Sequence, residues 1–191
     1  MGFFIFLAVV ALLVFWLIGA YNGLIALKNR VLNAWKQIDV QLKRRHDLIP
    51  NLVDTVKGAM SFERETLESV IAARNRAVAA SGVKETAKAE GELTGALNRL
   101  FALTENYPQL RATENIKQLQ EELTSTENRI SFARQLYNDE ATLYNTKQMQ
   151  FPTNLVAGLA QATPAELWEI EDATERAVPK VDLSMNKPPA A

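Results

Sequence analysis

The feature that most constrains this chain is its N-terminal stretch, where no side chain from Met1 to Leu27 carries a charge. Phe3 to Ala20 is an apolar run interrupted only by Gly19. As a helix it would be about 27 Å long at roughly 1.5 Å per residue, against a bilayer core about 30 Å thick. With Met1, Gly2 and Tyr21 as flanks it is just long enough to span. Trp16 and Tyr21 stand near its end, where amphipathic rings favour the membrane–water boundary. A cleaved signal peptide would carry a basic leader and a small-x-small cleavage site. No base precedes this run, and Ile18-Gly19-Ala20 is a poor cleavage site. A buried core helix is seldom uncharged on every side. The run therefore predicts a transmembrane anchor over residues 1–21, with residues 3–20 in the lipid bilayer. Lys28, Arg30 and Lys36 follow closely, and cationic flanks stay on the cytoplasmic side. The expected topology is a single pass of the bacterial inner (cytoplasmic) membrane, with the C-terminal domain cytoplasmic.

Beyond the anchor, apolar residues recur at helical spacing. Leu27, Val31, Ala34, Ile38 and Leu42 begin a stripe that Ile49, Leu52, Val56 and Ala59 continue. Pro50 and Gly58 are the breakers within it, and Asp47 is placed to cap a helix restart before Pro50. Lys57 to Phe62 reads as a weak point before Glu63 to Ala80 resumes, and Ser81-Gly82 ends this first arm. A second helix is predicted from about Lys84 to Asn106, with Leu93, Leu97 and Leu100 on one face and Tyr107-Pro108 as its stop. In the third, Ile116, Leu119, Leu123, Thr126, Ile130, Ala133, Tyr137 and Tyr144 follow heptad spacing. Gln118, Glu121, Glu122, Glu127, Asn128 and Arg129 suit its outer face. Phe151-Pro152 closes that helix, and Thr163-Pro164 opens a short C-terminal one through about Glu175. The fold class is all-α: a transmembrane helix, then an antiparallel bundle of three long helices and a short fourth. The bundle should occupy residues 22–177 and an extended or disordered tail residues 178–191.

Composition removes several function classes. With no cysteine and a single histidine, His46, the chain lacks the residues for thiol chemistry, disulfides or a histidine-rich metal site. Twenty-one bases against 22 acids give no general attraction to nucleic acid. His46-Asp47 with Glu63 and Glu65 hints at acid–base chemistry, but a nucleophile beside a base and a glycine-rich phosphate loop are both missing. The reading is non-enzymatic, with no catalytic, cofactor or metal residues.

Certain ordered matches are specific. They include Asn29-Arg30-Val31, Ala34-Trp35, the stretch from Gln37 to Val53, Glu105-Asn106-Tyr107-Pro108, Leu119-Gln120-Glu121-Glu122-Leu123, Thr126-Glu127-Asn128-Arg129-Ile130, Tyr137-Asn138 and Tyr144-Asn145. By these the chain resembles the LemA family over roughly residues 21–183. The resemblance implies a membrane segment and an antiparallel helical bundle, no assigned enzymatic activity, and association with the bacterial envelope. It also implies relatives in magnetosome membranes and, for some members, the company of an HtpX-type membrane metalloprotease. Two positions depart from the pattern: Phe62 precedes Glu63 where histidine is frequent, and Leu183 stands where an aromatic is common.

The densest polar cluster is Lys43-Arg44-Arg45-His46-Asp47. Arg45 lies about 36 Å beyond Tyr21 along a straight helix at roughly 1.5 Å per residue, out of reach of lipid head groups. The cluster is therefore read as a partner or assembly contact, made through charge-assisted bonds to acidic helices. A candidate complement is the segment 154–191, with six acids against three bases. The two tyrosines seven apart, Tyr137 and Tyr144, read as core residues whose hydroxyls reach a polar edge. Asn138 and Asn145 beside them could set register or pair across the bundle. The functional expectation is a self-associating envelope scaffold; the alternative is an adaptor or regulator of an integral membrane partner such as an HtpX-type metalloprotease.

Overall fold

The computed structural model describes residues 1–58, 63–108 and 113–169. Among these there is helix and no strand: α1 Gly2–Lys57, α2 Arg64–Ala79, α3 Val83–Thr104, α4 Glu114–Met149 and a one-turn α5 Asn154–Ala157. The bundle is all-α, as its periodicity requires. The 56-residue α1 runs unbroken from the apolar segment into the domain. Its first eighteen residues are exposed, whereas Leu24, Val31, Ala34, Ile38, Leu42, Ile49, Leu52 and Val56 are buried. One helix thus carries two different surfaces in series.

The predicted restart at Asp47 does not occur. Pro50 lies inside α1, and Asp47 instead pairs with Lys43 one turn earlier, at 3.0 Å. A proline within a helix costs about 3 kcal/mol, but Leu42 and Ile49 before it and Leu52 and Val56 after it are buried along the same stripe. A break would remove one side of that stripe from the core. The first arm does end where expected: α1 stops at Lys57, α2 follows, and Gly82 turns the chain into α3 at φ +81°, a conformation glycine adopts without strain. Ala59 and Phe62 lie outside the described residues.

α1 and α4 pack antiparallel along most of their length, and α2 and α3 form a hairpin over the distal half. Two hydrophobic clusters result. The distal one joins all four long helices through aliphatic residues such as Ile49, Val70, Leu93, Leu100 and Leu123. The anchor-proximal one lies between α1 and α4 and contains Ile38, Ile130, Tyr137, Tyr144 and Trp168.

The C-terminal prediction is corrected over 162–169, which carries no helix. The described short helix lies earlier, at Asn154–Ala157. Residues 170–191, which include the rest of that predicted helix, the tail and Leu183, lie outside the described residues.

Candidate functional site

The five-residue basic cluster is divided by α1 itself. Lys43, Arg44 and Asp47 are exposed, while Arg45 and His46 turn inward and are buried. Their partner is Glu90 on α3, 4% exposed. One Glu90 oxygen accepts from Arg45 Nη1 at 3.2 Å and the other lies 2.6 Å from His46 Nε2. Arg45 Nη1 also meets Glu127 of α4 at 3.0 Å, and Nη2 donates to Thr94 Oγ1 at 2.6 Å. Arg74 of α2 donates to the His46 carbonyl at 2.8 Å. Every long helix therefore contributes to one polar node. A guanidinium suits this place because its planar fork serves several acceptors at once.

The acids that meet the cluster are Glu90, Glu122 and Glu127. Arg44 lies 4.0 Å from Glu122, so Glu122 and Glu127 are bundle partners rather than purely outer-face residues. Of the acids foreseen in 154–191, Glu166 and Glu169 are described, and the Glu166 carbonyl accepts from Tyr137; the other four lie outside the described residues. His46, Asp47, Glu63 and Glu65 do not converge. Glu63 accepts from the Tyr107 hydroxyl at 3.2 Å, His46 is bonded to Glu90, and Asp47 to Lys43. Sequence reasoning missed Glu90. Its signal was position: Thr86, Glu90, Leu93, Leu97 and Leu100 share one helical stripe, so the acid occupies an apolar slot and requires a buried cation.

A second polar constellation binds the segment 162–169 to α4. The Asn138 amide donates to the Trp168 carbonyl at 3.0 Å and accepts from the Trp168 N–H at 2.8 Å. Asn145 does the same with Ala165, at 2.9 and 2.8 Å. Seven helical residues span about 10.5 Å, which three residues match only when extended, at about 3.3 Å each. The segment must therefore be an extended strap antiparallel to α4. In a helix, Ala165 and Trp168 would be about 4.5 Å apart along the axis and out of register with both asparagines. Tyr137 donates its hydroxyl to the Glu166 carbonyl at 2.7 Å. Burial, with the Glu166 carboxylate adding, pushes the Tyr137 phenol above its ordinary pKa and keeps it a donor. Trp168 seats on Trp35, with ring centroids 6.0 Å apart, and Arg134 lies 5.2 Å over its ring. The asparagines thus pair within the chain, across helix and strap.

Beside the strap, Trp35, Val83, Tyr137, Tyr144 and Pro164 help line a cavity of about 270 Å³. The buried Tyr144 hydroxyl has no hydrogen-bond partner among the described residues, and burial raises its pKa. The geometry of node and strap fastens elements together.

These features define a helical bundle continuous with an exposed apolar helix, with two polar sets, the Arg45–Glu90 node and the strap, bonded within the chain. The chain belongs to the LemA family, whose model matches residues 34–183. It is 32% identical to Protein LemA of Metamycoplasma hominis over 157 residues, covering 80% of this chain and 70% of that protein. It is 24% identical to magnetosome protein MamQ 2 of Paramagnetospirillum magneticum over 175 residues, covering 78% and 64% respectively. Against magnetosome protein MamQ of Magnetospirillum gryphiswaldense the identity is 23% over 163 residues, covering 72% and 60%. The chain thus spans less than two thirds of the length of these two magnetosome proteins.

Proposed function

We propose that this protein is a non-enzymatic, self-associating scaffold held in the bacterial inner membrane by a single pass through residues 3–20, with its bundle in the cytoplasm. The observation that carries the reading is the continuity of α1, which joins an exposed apolar segment of membrane-spanning length to the bundle core without a hinge. Such a helix fixes the domain's distance and direction from the bilayer. The cationic flank of Lys28, Arg30 and Lys36 supports the cytoplasmic placement.

Self-association is assigned to one face. Val40, Phe132 and Leu136 line a common groove between α1 and α4, and all three are exposed. Leu143 continues the α4 side one heptad on, and Lys43, Arg44 and Asp47 follow Val40 on α1 at helical spacing, as a charged rim. An apolar centre with a charged edge is the anatomy of a protein contact. The test is the mass of the detergent-solubilised particle, compared with that of Phe132→Glu and of Leu136→Glu. The expected result is a homomeric wild-type particle that both substitutions reduce at unchanged melting temperature. A monomeric wild-type particle, or variants of undiminished mass, would end the scaffold reading; a stoichiometric complex with another membrane protein would replace it by an adaptor.

A further inference from the structure

We infer that the end of α4 and the turn following it form a membrane foot, whose side chains Met149, Phe151, Leu155 and Leu159 enter the head-group boundary of the lipid surface beside the anchor. The inference rests on the membrane reading of residues 3–20 and extends it to a second, non-spanning contact.

The height of the foot follows from the antiparallel register of α1 and α4. Arg30 meets Glu140 at 3.9 Å, and the rings of Trp35 and Tyr137 lie 5.5 Å apart. Both helices rise at the same rate, so Met149 falls level with Tyr21–Gly23, within about 5 Å of the end of the apolar run at Ala20. The strap brackets the same region from the other side. Asn145 is bonded to Ala165, so the chain between them loops out from that pair after α4 has run toward the anchor. Within the loop, Asn154 N–H donates to the Gln150 carbonyl, Ala160 to Val156 and Ala162 to Ala157, at 2.9 to 3.0 Å. Thr153, Val156 and Ala160 are buried. The turn is a compact knot with its own inward face.

Its outward face is apolar. Met149 is 71% exposed, Phe151 80%, Leu155 67% and Leu159 72%. No residue between Lys147 and Glu166 is charged. Four large apolar side chains without a charge among them are an unusual surface to leave in water. Their level with the end of the anchor selects lipid over a protein partner, because the exposed apolar surface of α1 ends at the same height. Lys28 and Lys147 stand at its watery edge, as cations near anionic head groups do. A surface of this kind lies in the interface about 5–10 Å deep. With the span it makes two attachments on one rigid body, which would restrict tilting and rotation of the bundle.

The test uses the full chain, which has no cysteine, so single substitutions accept a polarity-sensitive fluorophore cleanly. Leu155→Cys, Leu159→Cys, Leu13→Cys and Thr124→Cys are labelled and placed in phosphatidylethanolamine–phosphatidylglycerol vesicles carrying spin-labelled lipid. Labels at 155 and 159 are expected to shift to the blue and lose fluorescence to a quencher near the head group. The label at 13 should respond to a deep quencher and that at 124 to neither. Unlabelled Leu155→Cys and Leu159→Cys should melt like the wild type in detergent, because neither side chain packs inward. If 13 is quenched while 155 and 159 stay in water, the foot is refuted and the anchor stands. A blue shift at 155 and 159 without lipid quenching means that protein covers them, which also refutes it. An unquenched 13 overturns the anchor and the foot together.

Discussion

The two halves of the bundle solve the same packing problem differently. In the distal half four helices enclose Ile49, Val56, Val70, Leu93 and Leu100 with one another's side chains by non-directional burial, and the Arg45–Glu90 node ties the helices together at its edge. In the anchor-proximal half α1 and α4 supply two walls, and an extended strap helps close the core. An extended segment cannot satisfy its own backbone, so its peptide groups need partners. Asn138 and Asn145 provide them, and beside aliphatic residues such as Ile38 and Ile130 this core includes the polar-tipped aromatics Trp35, Tyr137, Tyr144 and Trp168. The directional bonds differ in what they hold: side chain to side chain at the four-helix node, side chain to exposed backbone at the strap.

Substitutions can break or sharpen that contrast, with stability read from denaturant melts of the full chain in detergent. Ile130→Asp should have the largest effect. Ile130 is 1% exposed in the proximal core, so the change combines lost burial of about 2–5 kcal/mol with an unpaired buried carboxylate. A small loss would mean that this core is loosely formed.

Glu90→Ala comes next. It leaves Arg45 and His46 buried without their shared acid, and breaking a buried pair from one side costs about 3–5 kcal/mol. Because the node joins α1, α3 and α4, both halves should lose hydrogen-exchange protection together. Loss confined to the distal half would show that the two cores are not coupled through it.

Asn138→Ala removes two hydrogen bonds to Trp168, at about 0.5–1.5 kcal/mol each. The expected signature is local: faster amide exchange in 165–168 and greater exposure of Trp168 in tryptophan fluorescence, with the distal core unchanged. A global loss of protection would make the strap part of the cooperative core and erase the difference between the halves.

Glu127→Ala should cost less, about 1 kcal/mol, since its side chain is 41% exposed and Arg45 keeps Glu90. Smallest is Lys43→Ala, within about 0.5 kcal/mol, because its pair with Asp47 is solvated on both sides. Equal costs for these two would show that the α4 acid contributes nothing to the node.

Much of this could be read along the chain. Helix period, the uncharged run and the seam residues Val31, Ile38, Leu52, Leu100, Ile116 and Ile130 follow from local spacing, because an apolar stripe has one way to leave water. The resemblance to the LemA family was legible in ordered residue matches for the same reason that linear order needs no structure. What local pattern did not carry was pairing at a distance. Nothing near Arg45 says that its acid is Glu90, 45 residues on. Nor could the sequence show that α1 continues through Pro50, where the deciding term is burial on both sides. The strap is the sharpest case. Thr163-Pro164 is a sound helix start by itself, and the segment stays extended because Asn138 and Asn145, a heptad apart on another helix, match an extended peptide and not a helical one. Local periodicity determined which faces are buried. Only tertiary structure decided which polar groups meet, because a hydrogen bond depends on three-dimensional register that sequence spacing within one element does not contain.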